Sequence, residues 1–273
     1  MEIEKMMLSV LRNLVFVTLI MGCKAAKAEE FNYNGVRGPS HWGDLKEEWK
    51  TCGQGRHQSP IDVIKRDIEI YPNLGKLHKS YKAANASLVN RGHYIMVRWA
   101  KGAGTIHVDG TNFTLRQCHW HSPAEHTIYG RRYPLEIHMV HQTEDNRTAV
   151  IGILYKYGRH DTFLAELMNQ MSALSHEMEP EAEETLGIID PKQIKLGSRK
   201  YYRYTGSLTT PPCTEGVIWI IVDKVRTVSR DQVRNLVMAV HDGFGRNARP
   251  TQSENGRIVE LYTPRYGNSK NHN

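Results

Sequence analysis

Apart from Leu14 to Met21 near the start, this chain lacks any apolar run that approaches the roughly 20 residues of a bilayer-spanning helix. It has no hydrophobic C-terminal tail of the kind a lipid-anchor signal needs. It has no internal repeat and no linker that would split a domain. Lysine and arginine outnumber aspartate and glutamate by 36 to 29, giving a formal charge of +7. Yet there is no Lys/Arg tract and no aromatic platform interleaved with basic residues. The charge therefore reads as a soluble basic surface, and the chain is expected to bind neither nucleic acid nor membrane.

Cysteine is also scarce, at four residues, and its placement depends on how the chain begins. Lys5 and Arg12 precede the Leu14–Met21 run, and Ala26-Lys27-Ala28 offers a small-x-small cleavage site. Residues 1–28 read as a secretory signal peptide, not as part of the fold. They hold four basic residues (Lys5, Arg12, Lys24, Lys27) and two acidic ones (Glu2, Glu4), so removing +2 from +7 leaves +5. Residues 29–264 are long enough for one sizeable domain, and 265–273 read as a disordered polar tail. Cys23 leaves with the leader, and Cys118 sits within a strand pattern. Cys52 and Cys213 lie in loop-like contexts and are expected to form a disulfide in an oxidising compartment, with Cys118 buried and free. In the chain-entropy model, closing so long a loop stabilises by roughly 4–5 kcal/mol. Three acceptor sequons, at Asn85, Asn112 and Asn146, fit the same compartment and imply a glycoprotein.

The periodicity is mainly β, with a few short peripheral helices (an α+β chain). Leu88–Asn90, His93–Val97 and Thr105–Val108 alternate like strands. Ala149–Tyr155 and Val217–Val222 are continuous apolar runs, as expected of strands buried on both faces. A helical stripe of Phe163, Leu164, Leu167, Met168 and Met171 follows Asp161, a good N-cap. Ser229 and Gln232 form a candidate capping box ahead of Val233, Leu236, Val237 and Val240.

Two strand-like runs carry the chemistry: Gln117-Cys118-His119-Trp120-His121 and Leu135-Glu136-Ile137-His138-Met139-Val140-His141. Side chains alternate faces along a strand, so Gln117, His119 and His121 share one side, as do Glu136, His138 and Val140. If the runs are antiparallel neighbours, three imidazoles converge. Three histidine nitrogens with a fourth position open suit a catalytic Zn²⁺, not a closed structural site. Gln117 and Glu136 could each accept the far ring N–H of a ligand histidine, fixing its tautomer. His141 falls on the opposite face and reads as structural.

The chain resembles an α-class carbonic anhydrase, of the plant secretory type. The resemblance rests on Gly38-Pro39-Ser40-His41-Trp42-Gly43, Gln58-Ser59-Pro60-Ile61, Asn90-Arg91-Gly92-His93, His119-Trp120-His121-Ser122-Pro123-Ala124-Glu125-His126, Glu136–His141, Gly206–Glu215 and Asn247-Ala248-Arg249-Pro250. These segments extend over about 31–264. They imply a single domain around a large twisted, mostly antiparallel sheet, with zinc at the base of a conical cavity. They imply reversible hydration of CO₂ to bicarbonate and a proton through a zinc-bound hydroxide, with His119, His121 and His138 as ligands. Thr209 would be oriented by Glu125, and Thr209 and Thr210 would hold bicarbonate. Val140, Val150, Leu208, Val217 and Trp219 would line the apolar wall for CO₂. His93 would shuttle the proton from the cavity rim, since imidazole titrates near neutrality. Arg91 and Met96 depart from the asparagines common in animal members, whereas Tyr33 is retained. The same branch contains tuber storage and nectar proteins, so a storage or binding protein with incidental catalysis is the alternative. Plant relatives suggest a secretory route ending in the extracellular space or the chloroplast, and a monomer or weak dimer.

Overall fold

The computed structural model describes residues 30–175, 182–240 and 245–264. The leader at 1–28 and the tail at 265–273 lie outside the described residues. The described part is one domain built on a 13-stranded sheet. Ten of its strands form a continuous path: β1 (Ile68–Ile70), β2 (Ala84–Asn90), β3 (Ile95–Trp99), β4 (Thr111–His121), β5 (Leu135–Gln142), β6 (Thr148–Tyr157), β7 (Glu183–Ile189), β8 (Tyr201–Ser207), β9 (Glu215–Val222) and β10 (Val259–Tyr262). Their spatial order is β7-β2-β3-β4-β5-β6-β9-β8-β10-β1. Along this path only β6·β9 and β10·β1 are parallel, so the sheet is mostly antiparallel as expected.

The centre of the sheet is buried on both faces. On one side Leu135, Ile137 and Met139 of β5 join Cys118, Trp120, Ile151 and Ile153 in the larger apolar cluster. Helices α1 (Thr162–Leu174) and α2 (Arg230–Met238) contribute Phe163, Leu164, Leu167, Val233 and Leu236 to that cluster. Asp161 caps α1 by accepting from the N–H groups of Phe163 and Leu164, and Ser229 with Gln232 completes the capping box of α2. On the other face Val140, Val150, Val217 and Trp219 belong to a second cluster. Residues 149–155 of β6 are buried throughout, so the continuous apolar run serves both clusters.

Two expectations shift in detail. β3 begins at Ile95, not at His93, because Gly92 turns the chain with φ +82° and the Asn90 side chain accepts its N–H at 2.9 Å. Cys52 lies in a one-turn helix, Thr51–Gln54. The disulfide joins it to Cys213 across 161 positions, and Cys118 is buried and free.

Candidate metal centre

β4 and β5 pair antiparallel with His138 opposite His119 and Glu136 opposite His121. That register places the rings of His119, His121 and His138 on one face, with centroids 4.6 to 5.3 Å apart. One ring nitrogen from each lies within 4.8 Å of the others. All three side chains are enclosed.

The far nitrogen of each ring meets an oxygen. His119 Nδ1 is 2.8 Å from Gln117 Oε1, His121 Nδ1 is 2.6 Å from the Asn247 carbonyl, and His138 Nε2 is 2.9 Å from Glu136 Oε1. A carbonyl or carboxylate oxygen accepts only, so each far nitrogen carries the proton and each near nitrogen offers a lone pair. Burial holds all three rings below the ordinary imidazole range: His119 well below, with His121 and His138 adding to the effect, His121 down to about 4, and His138 lowered despite Glu136. They are therefore neutral near pH 7, the form that binds metal. His121 Nε2 is buried without a hydrogen-bond partner. Three neutral, convergent imidazoles, with the His121 ligand nitrogen left unpaired, fit a Zn²⁺ ion bound by three nitrogens.

Glu136 organises the surroundings. Its Oε2 accepts the backbone N–H of Glu125 and of His126, each at 2.8 Å, and its Oε1 lies 2.8 Å from His126 Nδ1. Burial alone would push this carboxyl up, but His126 and His138 hold it well below the usual carboxylate range. Gly152 of β6 stands opposite His138, and a Cβ there would come within 2.9 Å of Glu136 Oε1 and 2.8 Å of Ile221 Cδ1. Glycine is thus what lets the carboxylate reach the ring.

Glu125 is fully buried, with Oε2 3.5 Å from His121 Nε2 and 4.0 Å from His138 Nδ1. Its Oε1 accepts the Arg249 N–H at 2.8 Å. Burial pushes its pKa up to about 7, against the opposing pull of His138, the Thr209 hydroxyl and the Arg249 N–H. Thr209 and Thr210 follow the end of β8. Their loop is closed by Leu208 N–H to the Thr214 carbonyl and Cys213 N–H to the Thr210 carbonyl, both at 2.9 Å, and by the disulfide itself.

Val140, Val150, Leu208, Val217 and Trp219 all lie in the one apolar cluster on the histidine face. The Trp219 ring centroid is 4.8 Å from that of His138, and its Nε1 donates to the Ser207 carbonyl at 2.9 Å. His93 is packed more deeply than a rim position suggests: it is 7% exposed, with Phe31 and Tyr33 ring centroids 4.7 and 5.6 Å away. Asn85, Asn112 and Asn146 are all exposed. His141 is buried in the core, with Nε2 2.8 Å from the Tyr81 hydroxyl.

Three contributors had no role assigned from sequence. Asn247 and Arg249 act on the site through main-chain groups, which no residue pattern advertises. His126 bridges Glu136 and the Tyr204 hydroxyl, its Nε2 2.7 Å from the latter. The spacing of His126 from His121 carries no strand or helix periodicity that would have singled it out.

Residues 37–263 match the eukaryotic-type carbonic anhydrase family. The chain belongs to that family. It is 55% identical over 237 residues to alpha carbonic anhydrase 7 of Arabidopsis thaliana, covering 86% of each chain. The crystal structure of dioscorin complexed with ascorbate superposes with a TM-score of 0.82 at 40% identity, over 85% of this chain and 97% of that one. The α-carbonic anhydrase of Thermovibrio ammonificans, in complex with the inhibitor sulfanilamide, gives 0.77 at 38% identity over 84% and 98%. The carbonic anhydrase fold thus accounts for both the sheet order and the histidine-bearing strands at its centre. Among the described residues no helix is long and apolar enough to cross a membrane. The disulfide fits an oxidising compartment.

Proposed function

We propose that this chain is a zinc-dependent carbonic anhydrase interconverting CO₂ and bicarbonate plus a proton. The observation that carries the reading is the set of three neutral imidazoles whose ligand nitrogens lie within 4.8 Å of one another while each far nitrogen is held by an oxygen. Zn²⁺ on His119, His121 and His138 would supply the Lewis acidity that makes water nucleophilic at neutral pH.

The chain's own groups direct that chemistry. Burial raises the Glu125 carboxyl pKa to about 7, and a cation on the three histidines would lower it; once ionised it can only accept, so it accepts a hydrogen bond from the Thr209 hydroxyl and leaves the Thr209 oxygen free to accept from the attacking water. That single direction of donation aims the nucleophile. The Thr209 backbone N–H and Thr210 hold the product anion. Val140, Val150, Leu208, Val217 and Trp219 offer CO₂, small and uncharged, an apolar wall with no hydrogen-bonding competition. Gln117, Glu136 and the Asn247 carbonyl keep the three rings in their ligating tautomers. His93 takes up the released proton on its imidazole and passes it towards buffer, past the Phe31 and Tyr33 rings. Residues 1–28 are cleaved as a leader, the sequons at Asn85, Asn112 and Asn146 receive glycans, and the mature protein is extracellular or reaches the chloroplast through the secretory route.

The test is zinc content together with CO₂ hydration by the purified mature protein, with and without an aromatic sulfonamide. Stoichiometric zinc and sulfonamide-sensitive hydration are expected. A folded, zinc-loaded protein that hydrates CO₂ no faster than buffer would leave only a binding protein on this scaffold.

A further inference from the structure

Tyr94 has no place in the chemistry described so far, yet it touches the metal centre. β3 pairs with β4 so that Met96 stands opposite His119, and Tyr94 immediately precedes β3. The Tyr94 ring lies 4.6 Å from that of His119, centroid to centroid, tilted by 33°, and 6.2 Å from that of His121. The Arg91 side chain lies beside the Tyr94 hydroxyl, and the two residues are joined across a turn in which the Arg91 N–H donates to the Tyr94 carbonyl at 3.0 Å. The histidine trio is therefore flanked by two aromatic rings, Tyr94 against His119 and Trp219 against His138.

A ring packed on His119, with its backbone fixed by the turn at Arg91, cannot swing aside without losing that packing contact. We propose that Tyr94, packed on His119 and flanked by Arg91, is a specificity-determining wall that narrows access to the three histidines, admitting CO₂ and bicarbonate and excluding substrates with longer acyl groups. This inference rests on the carbonic anhydrase reading and deepens it. CO₂ and bicarbonate have a single carbon and fit beside the ring. On this proposal, the alkyl chain of an ester would compete with the ring for the space beside His119.

The experiment compares the wild type with Tyr94→Ala and Arg91→Ala, each checked for zinc content and cooperative thermal unfolding. The readout is the ratio of kcat/KM for p-nitrophenyl butyrate to that for CO₂. Loss of the wall should raise that ratio on the order of tenfold in Tyr94→Ala, the scale on which a pocket discriminates by size. Arg91→Ala keeps the ring but removes the side chain that flanks it, and should raise the ratio less, in the same direction. General damage would lower both activities and leave the ratio unmoved, so the ratio separates a wall from mere packing. If Tyr94→Ala does not fold, Arg91→Ala alone decides the matter. An unchanged ratio in folded, zinc-loaded variants overturns the inference while wild-type CO₂ hydration leaves the underlying reading standing. A wild type without hydration overturns both.

Discussion

Replacing Glu136 with Gln changes one oxygen to an amide nitrogen at nearly constant shape, and the surroundings determine how the new side chain must sit. The two backbone N–H groups of Glu125 and His126, both 2.8 Å from Oε2, cannot rearrange. They therefore claim the remaining carbonyl oxygen, and the NH₂ group turns towards His126 Nδ1 and His138 Nε2. His126 can adapt by moving its proton to Nε2 and donating to the Tyr204 hydroxyl, which in turn lies 2.8 Å from Ser59 Oγ. His138 cannot, because on the proposed reading its Nδ1 would be committed to the metal and its Nε2–H would then face another donor. One charge-assisted bond is lost and one buried donor is left unpaired. The cost to the fold is about 1–3 kcal/mol. Zinc affinity should fall about 10- to 100-fold, the usual penalty for losing such an orienting partner. Chelator competition gives the dissociation constant and a urea titration gives the stability. Wild-type zinc affinity in a folded Glu136→Gln protein would refute the argument that this carboxylate sets the ligating form of His138.

Four other outcomes follow from the same geometry. Val150→Tyr should block CO₂ hydration while zinc remains bound, and surviving activity would misplace the substrate wall. His93→Ala should slow hydration at low buffer and recover with added imidazole, and no loss at low buffer would remove His93 from the proton path. Removing the disulfide with Cys52→Ser/Cys213→Ser should lower stability by about 5 kcal/mol in the chain-entropy model for a separation of 161, measured as a shift in urea midpoint. The folded-state pKa of His141 is lowered to about 3 by burial, below the roughly 6.5 of the unfolded chain. The unfolded state thus binds the extra proton between these values, and stability drains away as pH falls below about 6.5. By linkage this single ring costs about 2 kcal/mol on going from pH 7 to pH 5, and His141→Gln should flatten that fall in pH-dependent unfolding.

Much of this architecture could be read from residue order, and the reason is local. Alternation along 117–121 and 135–140 dictates which side chains share a face, and it needs only one further fact, that the two strands are neighbours, to gather His119, His121 and His138. Asp161 and the Ser229/Gln232 pair act within a few residues of themselves, so their helices were visible too. The cysteine pairing came by elimination. What stayed hidden was carried by main-chain groups or by distant packing. The oxygen that orients His121 is the carbonyl of Asn247, 126 positions away, and a carbonyl is common to every residue. The depth of His93 comes from the Phe31 and Tyr33 rings folding over it, which periodicity in 93–97 cannot report. β7 and β8 were not read as strands: Gly187 sits at a register shift in the first and interrupts its alternation.

The reach of Asn247 and Arg249 has a consequence for how the protein is made. A nascent chain emerging from its N-terminus presents all three histidines once residue 138 is out, but their final restraints arrive only when 247 and 249 have been synthesised and docked, more than a hundred residues later. Until then the His121 ring is free to turn and Glu125 lacks one of its donors. On the proposed reading, metal loading in this geometry would wait for residues 247 and 249, and a chain terminated ahead of residue 247 would carry the three histidines without the carbonyl that orients His121.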